Sequence, residues 1–146
     1  DTNECAATVR TLSPATRAQL RDDLPQLARD IAAAHGCTAE AEFEVAYPVT
    51  VNDADATAAA LTVLREEFGA HRVRVLDAPI MASEDFSFVL EEVPGAFIFL
   101  GATPDGTAPE DVEMNHSPRA VFDDGILGDQ AAALAALALR HVGRRD

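Results

Sequence analysis

The sequence predicts an α/β fold in two parts, and two patterns indicate it. Within residues 1–48, two segments that alternate apolar and polar residues flank one segment with helical spacing, which is a β-α-β order. Within residues 49–146, helical patterns surround a continuous apolar run over residues 96–100, typical of a parallel strand that helices bury on both faces. We therefore expect half of a two-layer sandwich followed by part of an α/β domain, with the boundary near Pro48.

The first part is predicted to form strand, helix and strand. Residues 4–12 alternate small or apolar with polar side chains, which favours a strand. Ser13 can cap a helix whose apolar residues recur at three-to-four spacing as far as Gly36. Pro25 falls inside that helix, where a proline costs about 3 kcal/mol and can introduce a kink. Residues 38–47 alternate with period two, so we expect a strand with one acidic, solvated face.

The second part is predicted to be mostly helical around the apolar run. The predicted elements are, in order, a helix between Asp53 and Gly69, a strand over 71–76, a helix over 84–92 capped by Ser83, the strand over 96–100, and a helix that begins after the caps Asp123 and Asp124 and ends near Val142. A long loop over residues 102–115 follows the apolar strand. Long loops in compact domains usually serve a site, so this loop is where we look for function.

Composition excludes several classes of partner. The formal net charge is −14, with 25 acidic and 11 basic residues, so a nucleic acid or an anionic membrane surface would be repelled. No apolar stretch approaches the roughly 20 residues of a membrane span. The two cysteines, Cys5 and Cys37, do not form a C-x-x-C pair, and we expect two reduced thiols.

Four histidines are candidates for metal or acid-base chemistry, and one has a distinctive setting. His35 and His141 lie at the ends of predicted helices, where a positive charge is stabilising, and His71 begins a predicted exposed strand. His116 stands in a loop after the apolar strand, where α/β proteins gather their sites, and Pro118 restricts the backbone behind it. It can ligate a metal or serve as a surface histidine, because zinc needs three or four ligands and no second histidine has a comparable context.

Two adjacent carboxylates form the second candidate. Glu84 and Asp85 are predicted in the first turn of a helix, where they can orient a metal-bound water, a substrate ammonium or a ligand histidine. On residue types alone, compensation of the helix dipole is the favoured explanation of this placement. Motifs of serine hydrolases and nucleotide-binding proteins do not occur in the sequence.

Three motifs, taken in order and with their spacing, resemble one family. They are MASEDFSF at residues 81–88, VPGAFIFLG at 93–101, and NHSP at 115–118 followed by FDD at 122–124. Together they resemble the C-terminal part of the metal-dependent amidohydrolases, which include hippurate hydrolase, N-acyl amino acid amidohydrolases and auxin-conjugate hydrolases, in the aminoacylase and carboxypeptidase family. The segments TVRTLSP at 8–14 and YPVTVND at 47–53 resemble that family's entry into and return from its inserted lid domain.

The resemblance implies a fold and a reaction. Residues 1–48 would be the second, β-α-β half of a ferredoxin-like lid or dimerisation domain, and residues 49–146 the C-terminal part of a zinc-peptidase-like catalytic domain. The family hydrolyses the amide bond of N-acyl amino acids with a metal-activated water, which a glutamate deprotonates. That glutamate and the other metal ligands would lie upstream of this sequence.

The resemblance also implies roles for five residues. His116 corresponds to the family's last metal ligand. Glu84 and Asp85 would lie near the metal centre as orienting or catalytic groups, while Asn115 and Ser117 would contact the substrate beside the ligand. The implied cofactor is a divalent metal, zinc first, with manganese, cobalt or nickel as alternatives, bound only together with the upstream ligands.

Three hypotheses about the whole follow. In the first, the chain is the C-terminal portion of an amidohydrolase and is inactive alone. The complete protein would form a homodimer through the lid and act on a small N-acyl amino acid, with no nucleic-acid or membrane partner. Alternatively it is a split-enzyme half or a non-catalytic interaction module derived from that family, or an unrelated acidic ligand-binding domain. We expect a cytoplasmic location.

Overall fold

A computed structural model describes residues 2–143. The α-helices are α1 (Pro14–Ala34), α2 (Ala54–Phe68), α3 (Phe86–Glu92) and α4 (Leu127–Val142). Short 3-10 helices cover Ala70–Arg72, Pro109–Asp111 and Asp124–Ile126. None of the helices in this part of the chain is long and apolar enough to cross a lipid bilayer.

Three of the predicted helices are confirmed, and the predicted Ser13 cap of α1 is among the signals that hold. The Ser13 hydroxyl accepts a hydrogen bond from the Thr16 N–H at the start of α1, which runs unbroken through Pro25. Gly69 ends α2 with φ of 85°, a left-handed conformation that glycine adopts without steric cost. The Asp123 carboxylate accepts from the Gly125 N–H, and the chain passes through a 3-10 turn into α4.

The third predicted helix starts later than expected. Instead of a helix over 84–92 capped by Ser83, α3 begins at Phe86 with Asp85 at the capping position. The reason is local: the Glu84 carboxylate itself accepts the Phe86 N–H, and the Glu84 carbonyl accepts from Ser87, so residues 84–87 form a turn ahead of the helix.

The predicted strands are not found among residues 2–143, which contain no β-strand. Residues 39–43 keep their alternation, with Ala39, Ala41 and Phe43 half-buried between exposed glutamates. Val45 and Tyr47, expected on the same face, are 51% and 44% exposed, and no partner strand among the described residues pairs with this segment. The β-α-β half of a lid therefore stays a prediction. The strand over 71–76 is wrong at its start, where a 3-10 helix forms instead.

The apolar run over residues 96–100 is not buried on two faces. Ile98, Phe99 and Leu100 are 48%, 59% and 45% exposed. Phe97 and Phe99 contact each other edge to face, with ring centroids 5.1 Å apart. A strand can be buried on both faces only when other layers cover it, and those layers are not formed by the described residues.

Residues 2–143 divide into two compact units. The first contains the residues up to Asp53 together with Leu76–Gly95, and the second contains Ala54–Val75 and the residues from Ala96 onward. Glu84 and Asp85 lie in the first unit, and residues 115–117 lie in the second.

In the first unit, contacts link α1, residue 47 and α3. The Arg17 guanidinium donates to the Tyr47 carbonyl at 2.9 Å, and the Tyr47 ring lies 6.0 Å from that of Phe88. The Asp53 N–H donates to the Gly95 carbonyl at 2.9 Å. Cys5 and Cys37 are both free, as expected.

In the second unit, α2 packs against α4. The buried apolar side chains of the described residues, Ala60, Val63 and Leu64, all lie on α2. Ion pairs hold both ends of α4: Arg72 with Asp129 at 2.6 Å, and Arg140 with Glu66. Both pairs are about half exposed, so they add little to the packing of α4 on α2.

Candidate functional site

His116 occupies an unusual backbone conformation. Its φ is 73°, and within residues 2–143 it is the non-glycine residue with a positive φ. For an L-residue with a side chain, the left-handed region costs roughly 1–2 kcal/mol, because Cβ approaches the neighbouring carbonyl. Such strain persists only where surrounding contacts hold it, and it clusters at functional sites. The side chain itself is exposed.

Two consecutive tight turns produce this conformation. The Ser117 N–H donates to the Met114 carbonyl at 3.1 Å, which closes a turn with Asn115 and His116 at its corner. A positive φ at the second corner residue is the mark of a type II turn, where glycine or asparagine is usual. The Ala120 N–H then donates to the Ser117 carbonyl at 3.1 Å, with Pro118 at the corner of this second turn.

Of the two residues beside His116, Ser117 has a hydrogen-bonded side chain and Asn115 has an exposed one. The half-buried Ser117 hydroxyl accepts the Arg119 N–H at 3.2 Å, so its oxygen supports the second turn while its own proton stays available to donate. Asn115 is exposed. The structure thus presents Asn115 and His116 together on one turn, with Ser117 behind them.

An ion pair joins the two ends of this loop. The Arg119 guanidinium donates to the Glu113 carboxylate, six residues earlier. The sequence motifs did not single out either residue. The signal that could have found them is their opposite charge on the two sides of a Pro-containing turn.

Glu84 and Asp85 lie in the first unit and differ in what holds them. The Glu84 carboxylate accepts the Phe86 N–H at 3.2 Å, and the Glu84 carbonyl accepts both the Ser87 N–H at 3.2 Å and the Ser87 hydroxyl at 2.5 Å. Asp85 makes no capping hydrogen bond and is exposed. Glu84 is therefore fixed by its backbone and its side chain, whereas the Asp85 carboxylate faces solvent.

Ser87 is the residue that the sequence motifs did not single out in this segment. It is 0% exposed, and it is the buried polar side chain of the described residues. Burying a hydroxyl is costly unless it is hydrogen-bonded, and here the Glu84 carbonyl satisfies it. Its position three residues after Glu84, where a serine hydroxyl reaches back to a backbone carbonyl, is the signal that could have identified it.

The described residues do not assemble a complete metal site. Nowhere in residues 2–143 do three or more His, Cys, Asp or Glu side chains form a group that could hold a metal ion. Zinc requires three or four ligands, so the donor set present does not fit a bound ion by itself. His116 is exposed and can offer one neutral imidazole nitrogen.

The other histidines lie at the ends of helices. His35 is the C-terminal cap of α1, and His141 belongs to the last turn of α4, as expected. His71 lies in the 3-10 helix after α2. A cleft of about 310 Å³ in the first unit, between residues 51–53 and 90–94, contains none of the candidate residues.

Comparison with known proteins gives a consistent result along the chain. The model of peptidase family M20/M25/M40 matches residues 4–140. Thermostable carboxypeptidase 2 of Saccharolobus solfataricus is 30% identical over 141 residues, covering 96% of this chain and 34% of that protein. Hippurate hydrolase of Campylobacter jejuni is 31% identical over 134 residues, covering 92% of this chain and 33% of that protein.

A plant relative matches over a similar extent. An IAA-amino acid hydrolase of Arabidopsis thaliana is 29% identical over 146 residues, covering 97% of this chain and 33% of that protein. The chain thus spans about one third of the length of these relatives.

Proposed function

The chain belongs to peptidase family M20/M25/M40, and on that premise we propose that it supplies one metal ligand, His116, to a metal-dependent amidohydrolase. The observation that supports this role most strongly is the left-handed backbone of His116 at the corner of a tight turn. A residue held in a costly conformation on an exposed loop has no packing reason to be there, which favours a functional one. The turn also keeps the imidazole exposed, as a metal ligand shared with other residues requires.

The proposed reaction is hydrolysis of the amide bond of an N-acyl amino acid. Two relatives are named as hydrolases of hippurate and of an IAA-amino acid, and both names denote an acyl group joined to an amino acid. A divalent metal in such reactions polarises the amide carbonyl and activates water. Because the described residues do not complete a ligand set, the chain alone is proposed to be inactive.

We propose roles for the remaining candidate residues that are compatible with their contacts and exposure. Asp85, whose carboxylate is exposed, is proposed to contact a substrate group or to orient a ligand, and Glu84 is proposed to fix the segment that presents it. Asn115 and the Ser117 hydroxyl are proposed to contact the substrate beside His116. Asn115 offers both donors and an acceptor, and Ser117 retains a donor.

Two further properties complete the proposal. Zinc is the proposed metal, with manganese, cobalt or nickel as alternatives, since an imidazole ligand suits several of these ions. Residues 1–48 are proposed to form the second half of a lid through which the complete protein forms a homodimer, and residues 49–146 to belong to the catalytic domain.

The test joins this chain to the missing ligands. The upstream two thirds of thermostable carboxypeptidase 2 would be fused to the chain, and release of the amino acid from an N-acyl substrate would be measured with Zn²⁺ or Co²⁺. We expect activity in the fusion, none in the chain alone, and loss of activity with His116→Ala. His71→Ala, an exposed histidine in the same unit, is the matched control and should remain active.

Two outcomes would contradict the proposal. Unchanged activity with His116→Ala would remove His116 from the ligand set. A folded fusion that binds metal but never hydrolyses an acyl amino acid, together with a specific protein partner for the chain, would favour the interaction-module alternative.

A further inference from the structure

The ion pair between Glu113 and Arg119 closes the loop that carries His116. We call residues 113–119 the His116 loop. Its two turns are each closed by one backbone hydrogen bond, at Met114 and Ser117, and neither bond reaches both ends of the loop. The ion pair does join the two ends of the loop. Glu113 lies immediately before the first turn, and Arg119 lies within the second.

The loop needs more than its turns to hold His116. A type II turn with histidine at the second corner is disfavoured relative to turns that keep φ negative, so the loop has lower-energy alternatives available. Opening the first turn would release the strain at His116 and would separate residues 113 and 119. An attraction between those two residues therefore opposes the motion that relaxes His116.

Arg119 pairs with Glu113 although other acidic residues lie nearby in the sequence. In a chain with 25 acidic and 11 basic residues, Arg119 is the basic side chain of the loop, and it is paired with one acid out of several nearby. The Arg119 side chain is 78% exposed and the Glu113 side chain 40%, so this is an exposed pair, and its expected contribution is at most about 1 kcal/mol.

We propose that Glu113 and Arg119 are positioning residues, whose ion pair holds the His116 loop in the conformation that presents the imidazole. This inference rests on the proposed function only in assuming that the presented imidazole binds a metal. The restraint on the loop is a property of the chain itself. Neither residue contacts the reacting atoms in this account.

The first experiment tests the restraint in the chain alone. NMR would measure amide hydrogen exchange of Ser117, whose N–H closes the first turn. Each single reversal, Glu113→Arg or Arg119→Glu, is expected to speed this exchange by up to about fivefold, the factor that the loss of a good exposed ion pair gives. The double reversal restores the pair with opposite polarity and should return exchange to the original rate. Glu110→Arg changes charge equally at an exposed, nearby acid and should leave exchange unchanged.

The second experiment tests the positioning role with a readout other than activity. Binding of Zn²⁺ to the carboxypeptidase fusion would be measured by calorimetry for the two single reversals and for the double reversal. We expect a weaker affinity in each single variant, by the same factor as the exchange effect, and recovery in the double variant.

The outcomes separate this inference from the proposed function. Equal Ser117 exchange in all variants overturns the restraint. Faster exchange with unchanged Zn²⁺ affinity overturns the positioning role and leaves a purely structural pair. A fusion that hydrolyses no substrate while the exchange and affinity results hold contradicts the proposed function and leaves the positioning role supported.

Discussion

Replacing His116 by glycine should stabilise the protein relative to replacing it by alanine. Both variants remove the imidazole, so they differ in the Cβ atom and in backbone freedom. At φ of 73°, alanine keeps the steric conflict of the left-handed region and glycine does not. The comparison therefore isolates the strain that the functional interpretation of His116 depends on.

The expected magnitude follows from two opposing terms. Relief of the left-handed conformation contributes roughly 1–2 kcal/mol in favour of glycine. The greater freedom of glycine in the unfolded chain offsets about 0.4–1 kcal/mol of this. At the midpoints of these two ranges, the net advantage of glycine over alanine is about 0.8 kcal/mol, which for a protein of this length corresponds to a rise in Tm of about 2–3 °C.

A reverse substitution calibrates the measurement within the same chain. Gly106 has φ of 78°, and a Cβ added there meets nothing within 4 Å. Gly106→Ala therefore changes the conformational energy of the backbone without a clash. It should lower the free energy of unfolding by a similar amount, about 0.5–1 kcal/mol.

The stability of all three variants would be measured by urea unfolding followed by circular dichroism. A shift of the unfolding midpoint with an unchanged m-value reports a change in the free energy of unfolding. The reasoning fails if alanine at position 116 is as stable as glycine while Gly106→Ala is destabilised as expected. In that case His116 carries no strain, and the main support for its functional role is lost.

Three further predictions test the surrounding structure. Ser87→Ala removes a buried hydroxyl that donates to a backbone carbonyl, so it should cost about 0.5–1.5 kcal/mol of unfolding free energy in the same urea assay; no loss would mean that this hydrogen bond is dispensable. Hydrogen bonding from Arg21, and then its charge, lower the pKa of the Asp22 carboxyl, so Arg21→Gln should raise that pKa toward its usual value in a ¹³C NMR titration; an unmoved pKa would refute the pairing. The Glu66–Arg140 ion pair is about half exposed on both sides, so Arg140→Gln should cost less than about 1 kcal/mol and less still in high salt; a larger, salt-independent cost would contradict this.

The helices could be predicted from sequence because their signals are local. Ser13 caps α1 and Gly69 ends α2 through contacts within a few residues, and such contacts are readable from spacing. Pro25 was the exception, since α1 passes through it without a break. The start of α3 was missed because Glu84, and not Ser83, binds the first free backbone N–H.

The strands could not be predicted with the same success because a strand depends on partners that are distant in sequence. Residues 39–43 show the expected alternation of burial and residues 44–47 do not, and alternation alone does not pair a strand. The apolar run at residues 96–100 has a composition that favours a strand. Its burial, however, depends on helices elsewhere in the protein that would cover both faces, and the five residues themselves carry no information about them.

For the candidate site, sequence identified the residues and structure supplied the conformation. Pro118 and the loop position pointed to His116, and the family motif raised its importance. Histidine adopts a positive φ more often than most non-glycine residues, but such residues are uncommon overall, so the sequence alone did not indicate the left-handed turn. The pairing of Glu113 with Arg119 spans six residues across two turns, which matches no regular period.

The most direct measurement is a crystal structure of the carboxypeptidase fusion, grown with Zn²⁺ and collected at the zinc absorption edge. We expect an anomalous peak about 2.0–2.1 Å from a ring nitrogen of His116, with the His116 loop in its left-handed turn. A zinc peak coordinated by other residues, with the His116 imidazole directed away into solvent, would contradict it.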